Sequence, residues 1–262
     1  MSATAVPASA VVFVTVCALL WSTSAGVAHK GVTSKFTYNA EVYPVFLNRC
    51  GHCHVAGGVG PMSLVSYEDA FPWAESLRTE LLDTEGARVD ESESFIRTAH
   101  RDVPARELDI ILDWATGGTP EGDPAKAPPR VVLKNEWTHG QPGLVAPLPA
   151  AYEMPADVME ATQEFILPIM LDAERDVSAI DVLPGNPAIV REVELMVHSG
   201  DRAARAVGTW SPKQNPAPIV LTPVARLAPA SRLVVRIHYK KTWKYEGQPM
   251  TDRSTIGLYF SP

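Results

Sequence analysis

The chain has 262 residues, of which 46% are hydrophobic and 20% charged, and it contains 6 Trp, 7 Tyr and 7 Phe. This composition excludes a disordered or low-complexity chain and suits one or two folded domains. The formal net charge of −7 disfavours binding to nucleic acid or to an anionic membrane surface, so we expect no nucleic-acid partner. Three cysteines are too few for a scaffold held by several disulfides.

The first 28 residues have the pattern of a secretory signal peptide. They carry no Lys, Arg, Asp or Glu, and an apolar run over residues 10–21 is followed by small residues up to Ala28. The run is shorter than the roughly 20 residues that a membrane-spanning helix needs. We therefore predict a signal peptide over residues 1–28, including Cys17, and a periplasmic or otherwise extracytoplasmic protein. An uncleaved N-terminal membrane anchor is the alternative.

Residues 29–124 are predicted to form a small all-α domain. Ser66 is placed to cap a helix, with Asp69 three residues further on. A later helix is predicted to stop at Gly117, because glycine commonly follows the last helical turn. The apolar residues at helical spacing are Trp73, Leu77 and Leu81 in the first of these helices and Leu108, Ile111, Leu112 and Ala115 in the second.

Proline marks the end of the helical part. Eight of the 23 prolines fall between Pro120 and Pro155, so we predict an extended Pro-rich linker over residues 125–155. Residues 156–262 then alternate with the period of two that is typical of half-buried strands. This pattern predicts a β-sandwich, and hence an α + β protein of several domains. The alternating apolar residues are Val193, Leu195, Val197, Leu233, Val235, Ile237, Tyr239, Ile256, Leu258 and Phe260.

Charge divides at the same boundary. Residues 29–124 hold 8 basic and 16 acidic residues, a net charge of −8, whereas residues 125–262 hold 15 and 14, a net charge of +1. Ordinary solubility of a small domain explains this difference. The functional alternative is electrostatic steering of a basic redox partner protein.

The strongest motif is Cys50-Gly51-His52-Cys53-His54. The C-x-x-C-H spacing lets two thiols add to the two vinyl groups of a haem while the following imidazole binds the iron. A short amphipathic helix over residues 42–49 is expected to lead into the motif. We therefore predict one covalent haem c, attached through Cys50 and Cys53, with His54 as the proximal iron ligand.

Three other interpretations of the motif remain open. A thioredoxin-type redox pair would need a βαβ context, whereas the surroundings here are helical and rich in proline. A zinc site would need two further ligands, and His52 and His54 lie in the same short loop. A structural disulfide between residues three apart would be strained.

The sixth iron ligand decides whether the haem is closed or open to small molecules. Met62 and His100 are the two candidates. Met62 follows His54 by only eight residues, whereas His100 lies 46 residues on, just before the last helix. We favour His100, because this separation suits a segment that wraps over the ring.

Several motifs resemble those of bacterial proteins that fuse a monohaem cytochrome c domain to a second domain. That second domain is similar to the copper type II, ascorbate-dependent monooxygenases, whose familiar member is the peptidylglycine hydroxylating enzyme. The resemblance implies a jelly-roll-like β-sandwich after the cytochrome domain. The matching segments are Cys50–His54, residues 61–64, residues 72–74, residues 113–123, Pro184-Gly185-Asn186, Trp210-Ser211-Pro212, His238-Tyr239 and Thr251-Asp252-Arg253.

The copper ligands of that family are largely missing. Where the resemblance implies a His-His pair, this chain reads Val190-Arg191-Glu192-Val193. His238 matches the third ligand, and His198 is a distant substitute for the missing pair. Because a cupric ion prefers several nitrogen donors, we do not expect copper to bind.

These observations predict an electron carrier rather than an enzyme, with no catalytic residue assigned. The β-sandwich would serve as a docking or structural module. Two alternatives are a copper-dependent hydroxylating monooxygenase reduced by its own haem, with His238 and His198 as ligands, and a haem-bearing accessory subunit of a larger membrane redox complex. The expected partners are redox proteins.

Overall fold

The computed structural model describes residues 33–82, 103–198, 205–212 and 218–261. Short helices occupy the first part, and antiparallel sheets occupy the part after residue 143. This mixture confirms the predicted combination of a helical and a strand-rich region. From Ser34 onward the chain forms one compact unit. The predicted signal peptide, Cys17 and His100 lie outside the described residues.

In the residues that the structure describes, four helices longer than a single 3-10 turn precede the sheets, and we number them in chain order. Helix α1 consists of three consecutive pieces, and a single 3-10 turn, Phe71–Trp73, joins α2 to α3. Among the described residues, no helix combines the length and the apolar character needed to cross a membrane. The bounds are Tyr38–Val42, Tyr43–Val45 and Phe46–Cys50 for α1, Tyr67–Ala70 for α2, Ala74–Leu82 for α3 and Ala105–Thr116 for α4.

Local sequence explains where these helices begin and end. The Ser66 hydroxyl accepts a hydrogen bond of 3.2 Å from the Asp69 N–H, which confirms the predicted cap of α2. Gly117 follows the last residue of α4, also as predicted. In α1, π-helical turns lie on both sides of the short α-helical segment Tyr43–Val45, which contains Pro44. Since proline has no N–H to donate, the regular hydrogen-bond ladder is interrupted there.

Aromatic side chains build the core of the helical part. Tyr38, Phe46 and Trp114 are each 0% exposed, and the Trp114 ring lies 6.0 Å from both of the others. Their polar atoms are satisfied, because Tyr38 Oη donates to Leu64 O at 2.8 Å and Trp114 Nε1 donates to Pro120 O at 3.1 Å. The apolar face predicted for α4 did not include Trp114, which is the most buried residue of this helix.

Ten strands follow within the described ranges, and eight of them belong to two four-stranded antiparallel sheets. Their orders are β1-β10-β4-β7 and β3-β8-β5-β6, while β2 and β9 form a separate pair. Side chains from both large sheets meet in a single hydrophobic core. The strands are β1 Leu144–Pro147, β2 Tyr152–Met154, β3 Glu160–Pro168, β4 Arg175–Leu183, β5 Val190–His198, β6 Arg205–Trp210, β7 Ile219–Leu227, β8 Arg232–Lys240, β9 Met250–Asp252 and β10 Thr255–Phe260.

The predicted alternation is confirmed in β8 and is incomplete in β10. Every second residue of β8 from Leu233 to Tyr239 is fully buried, and the residues between them face outward or are half-buried. In β10, both Gly257 and Tyr259 are buried as well. The segment over residues 137–142 covers this outer face, since a Cβ on Gly257 would lie 2.6 Å from Pro142.

The segment predicted as a linker also contributes to the sheets. Strands β1 and β2 lie within residues 125–155, and they pair with β10 and β9. β1 is an edge strand, which agrees with the proline content of its sequence. Among the four edge strands of the large sheets, three contain a proline: Pro147 in β1, Pro168 in β3 and Pro223 in β7.

Candidate haem-binding site

The two cysteines and the histidine of the C-x-x-C-H motif lie on one helical turn. The N–H groups of Cys53 and His54 both donate to the Cys50 carbonyl, at 3.1 and 2.8 Å. Residues three and four apart on such a turn share one side of it. The turn therefore directs Cys50, Cys53 and His54 toward a common region, as a group that bonds to all three requires.

The structure contains no disulfide between Cys50 and Cys53. Burial, and then the neighbouring Cys53, raises the pKa of the Cys50 thiol to about 12. The thiol is therefore protonated at neutral pH. A dithiol that exchanges disulfides instead relies on a thiolate stabilised by a lowered pKa, so this environment does not favour the thioredoxin-type interpretation.

The orientation of His54 is set by a backbone carbonyl. His54 Nδ1 lies 3.2 Å from Met62 O. A carbonyl can only accept, so the hydrogen bond requires the proton on Nδ1 and places the imidazole lone pair on Nε2. Histidines that bind metals are commonly oriented in this way, with the second nitrogen donating to a carbonyl or carboxylate.

The loop after the motif folds back against it. Gly60 N–H donates to Cys53 O at 2.8 Å, and Leu64 N–H donates to His54 O at 2.9 Å. A Cβ on Gly60 would lie 2.8 Å from His54 Nδ1, so only glycine allows the backbone to approach the imidazole this closely. The loop thereby fixes the ring as well as its tautomer.

The position of Met62 bears on its predicted role as sixth ligand. Its carbonyl accepts from Nδ1, on the side of the imidazole away from Nε2. Its side chain packs against the hydrophobic core of the helical part. This placement does not favour Met62 as a ligand on the opposite face of a haem. The other candidate, His100, lies outside the described residues.

A buried arginine from the sheets contacts the motif loop. Arg191 of β5 is 9% exposed, and it donates from Nη1 to Val59 O and from Nε to Lys240 O at 3.1 Å. Burial lowers the pKa of Arg191 to about 10, partly opposed by the charges of Cys53 and Glu160, so it remains a cation at neutral pH. It occupies the stretch where the resemblance implies copper ligands. In the sequence, Arg191 is one of three charged residues of this strand, with Glu192 and Glu194, and this pattern does not reveal such a contact.

A pair of tryptophans makes a second contact between the helices and the sheets. The rings of Trp73 and Trp243 lie 5.7 Å apart and are tilted by 40°. Trp243 belongs to the short turn that follows β8, and it is 56% exposed. The turn after β8 and the start of β5 therefore both lie against the helical part.

The structure does not bring the two candidate copper ligands together. His238 pairs in register with Glu192, whereas His198 pairs with Arg232, six residues further along β5 and β8. At roughly 3.3 Å per residue, this separation is about 20 Å. His238 Nε2 instead lies 2.7 Å from Glu160 Oε1 on the outer face of the sheet. Across residues 33–82, 103–198, 205–212 and 218–261, no cluster of three or more His, Cys, Asp or Glu could hold a metal ion.

The donor set around the motif fits a covalently bound haem c. Two thiols lie on one turn with an imidazole whose Nε2 carries the lone pair, and this is the set that the group requires. No protein-family model matches the chain, and no curated protein matches it significantly. The assignment of function therefore depends on the residues of this site.

Proposed function

We propose that the protein is an extracytoplasmic monohaem c-type cytochrome that carries single electrons. In this proposal the helical part is a cytochrome c domain, and the two large sheets form a jelly-roll-like β-sandwich. Cys50 and Cys53 hold the haem through thioether bonds, and His54 Nε2 binds the iron. When bound, haem c supplies an iron centre that accepts and releases one electron at a time.

The hydrogen bond between His54 Nδ1 and Met62 O carries this proposal. At 3.2 Å it selects the tautomer that an axial ligand needs. The bonds from Gly60 to Cys53 and from Leu64 to His54 hold the accepting loop in place. A histidine that was merely a surface residue would not require a loop folded so closely around it.

The β-sandwich acts in this proposal as a docking or structural module. Arg191 supports that role, because it is buried and bonds to the loop that positions His54. His238, the remaining match to the copper ligands, lies 2.7 Å from a glutamate on the outer face. These contacts favour an electron carrier over a copper-dependent monooxygenase.

The proposed partners are redox proteins, reached in solution or within a membrane redox complex. The acidic excess of residues 29–124 suits a basic partner surface. Such steering weakens as salt screens the charges. Electron transfer to a basic partner should therefore slow with increasing ionic strength, which stopped-flow kinetics can measure.

The central test is covalent haem attachment in a host that exports and matures c-type cytochromes. The wild-type chain should retain haem stain on a denaturing gel and contain iron equimolar with the chain. The Cys50→Ser/Cys53→Ser variant should lose the stain. His54→Gln should change the haem absorption spectrum, because the proximal ligand is lost, while the matched variant His139→Gln, an exposed histidine in another segment, should keep the wild-type spectrum.

The same preparation separates the alternatives. A wild-type chain without covalent haem would overturn the proposal. Copper equimolar with the chain, lost in His238→Gln, would instead support the monooxygenase. Migration with other redox subunits on a native gel would support the accessory-subunit alternative.

A further inference from the structure

Arg191 lies in a β-bulge that removes it from the regular alternation of β5. Val190 pairs with Tyr239 of β8, and Glu192 pairs with the next residue along β8, so Arg191 lies between two consecutive pairs. The residues of β5 that enter the hydrophobic core of the sheets are Val190, Val193, Leu195 and Val197. Without the bulge, Arg191 would share the buried face of Val193 two residues further on, because strand side chains alternate with a period of two.

The guanidinium of Arg191 instead bonds to the loop that follows the C-x-x-C-H motif. Its Nη1 donates to Val59 O, while its Nε donates to Lys240 O at 3.1 Å and so holds the side chain to the end of β8. The side chain is buried. Bulges can direct a single side chain toward a site in this way. The sheets thereby hold a fixed cation against the motif loop.

One peptide unit connects this cation to the motif. Val59 O accepts from Arg191. The N–H at the other end of the same peptide unit belongs to Gly60, and it donates to Cys53 O at 2.8 Å. A bond from a charged donor polarises this unit and strengthens the bond at its other end. Gly60 also lies against the imidazole of His54, so Arg191 bonds to the backbone that contacts two of the three motif residues.

Within the described ranges, no carboxylate forms an ion pair with Arg191. Both of its hydrogen bonds go to neutral carbonyls. Glu160 acts on it electrostatically, but that carboxylate bonds to His238 and Lys240. A buried charge is screened far less than a surface charge. The field of Arg191 therefore extends to the neighbouring motif.

We propose that the charge of Arg191 stabilises the reduced state of the candidate haem site and so raises its reduction potential. The inference rests on the function proposed above, in which a redox protein delivers one electron to the site. Reduction takes up this electron and no proton, so the net charge of the site falls by one. A fixed cation nearby stabilises the state of lower charge. In this role the sheets set the potential of the site as well as provide a docking module.

The test is a redox titration of the haem-bearing full chain, followed by its absorbance. Arg191→Gln keeps an N–H donor without the charge, whereas Arg191→Lys keeps the charge. Arg191→Gln should lower the midpoint potential, so that the equilibrium constant for reduction falls about tenfold, the order expected for one partly screened charge. Arg191→Lys should remain within about twofold of the wild type, because the cation is kept. The fall in Arg191→Gln should persist in about 1 M salt, which screens surface charges.

Arg236→Gln is the matched control, because Arg236 is an exposed cation of β8 that pairs with Glu164 and Glu194. It should keep the wild-type potential. An unchanged potential in Arg191→Gln would overturn the inference. An equal fall in Arg191→Gln and Arg191→Lys would also overturn it, since the contact rather than the charge would then matter. If Arg191→Gln does not fold, Arg191→Met replaces it, with the same expected fall.

The haem stain of the wild-type chain separates this inference from the proposed function. A chain that carries covalent haem, but whose potential does not depend on the charge at Arg191, would overturn the inference alone. A chain without covalent haem would overturn both.

Discussion

The helical part and the strand-rich part, which we propose is a β-sandwich, satisfy their buried backbone groups in different ways. In the sandwich, strand pairing satisfies the backbone, and alternate side chains of β8 are fully buried between the sheets. In the helical part, the loop between α1 and α2 pairs with none of the described strands. It bonds instead to the motif, from Gly60 to Cys53 and from Leu64 to His54.

This difference explains why the candidate chemistry lies in the less regular part. A loop held by individual hydrogen bonds can place one carbonyl against one imidazole, as Met62 O does for His54. The regular strands instead carry ion pairs on their outer face, where Arg236 lies 3.2 Å from Glu164 and 3.1 Å from Glu194. Arg191 is the buried cation through which the sandwich contacts the motif loop.

The largest effect is expected from Trp114→Ala, which removes the centre of the helical core. Trp114 is 0% exposed and contacts Tyr38 and Phe46. The loss of its contacts should lower the free energy of unfolding by about 3–5 kcal/mol. Urea unfolding followed by circular dichroism measures this change. The exposed Trp243→Ala should cost less than about 1 kcal/mol, and equal losses in both variants would contradict the role given to Trp114.

A smaller loss is expected from Arg191→Met, which tests the contact between the two parts. The change keeps an apolar stem and removes the donors to Val59 O and Lys240 O. Since both acceptors lose the donor that Arg191 provides, unfolding should become easier by about 2–3 kcal/mol. In the haem-bearing form that we propose, the helical part should also unfold before the sandwich, so the haem absorbance and the far-ultraviolet signal should separate during urea titration.

Arg226→Met provides the control for this experiment. It removes an exposed ion pair with Asp176, a residue of the same sheet. The haem absorbance and the far-ultraviolet signal should therefore change together. Signals that coincide in Arg191→Met as closely as in this control would show that Arg191 does not join the two parts.

Tyr239→Phe tests the hydrogen bonding within the sandwich core. Tyr239 Oη donates to the buried Asp252 Oδ2 at 2.9 Å, and its loss should cost about 1–2 kcal/mol. Burial, together with Asp252, raises the pKa of Tyr239 above its usual 10.0. Above that pH the unfolded chain releases the proton while the folded chain keeps it, so wild-type stability should fall as pH rises. This fall should be shallower in the variant, as urea unfolding between about pH 8 and pH 11 can show.

The smallest effect is expected on the outer face of the sandwich. Glu160 bonds to His238 at 2.7 Å and to Lys240 at 2.9 Å, but its side chain is 40% exposed. Burial raises its pKa, but hydrogen bonds to Lys240 and His238 outweigh that effect and lower it overall. Glu160→Gln should therefore cost less than about 1 kcal/mol at neutral pH, and this difference should vanish in acid. A loss comparable to that of Trp114→Ala would indicate a further role for this face.

Local patterns predicted several elements of the fold correctly. The cap at Ser66 and the stop at Gly117 depend on one or two neighbouring residues, and the alternation in β8 depends on a period of two. In the candidate site, the motif spacing predicted that Cys50, Cys53 and His54 bind one haem, which stays a prediction, and the structure places Cys50 and His54 on one turn. Each of these features is encoded within a few residues of sequence.

Features that depend on distant segments were not predictable in this way. Tyr259 donates to Gly140 O across 119 residues of sequence, and Arg191 reaches a loop 132 residues earlier in the chain. Nothing in the sequence of the predicted linker indicated that its strand β1 would pair with β10. Such contacts form only when the whole chain is folded, so the hydrophobic periodicity of one segment cannot predict them.

The prolines in the edge strands have a consequence for the behaviour of the protein at high concentration. An open sheet edge can recruit a strand from another molecule and start aggregation. Because proline offers no N–H, intermolecular pairing would be limited at Pro147 and Pro168, the last residues of β1 and β3, and interrupted at Pro223 within β7. Replacing these prolines would open those edges to self-association, even where the folded monomer itself lost little stability.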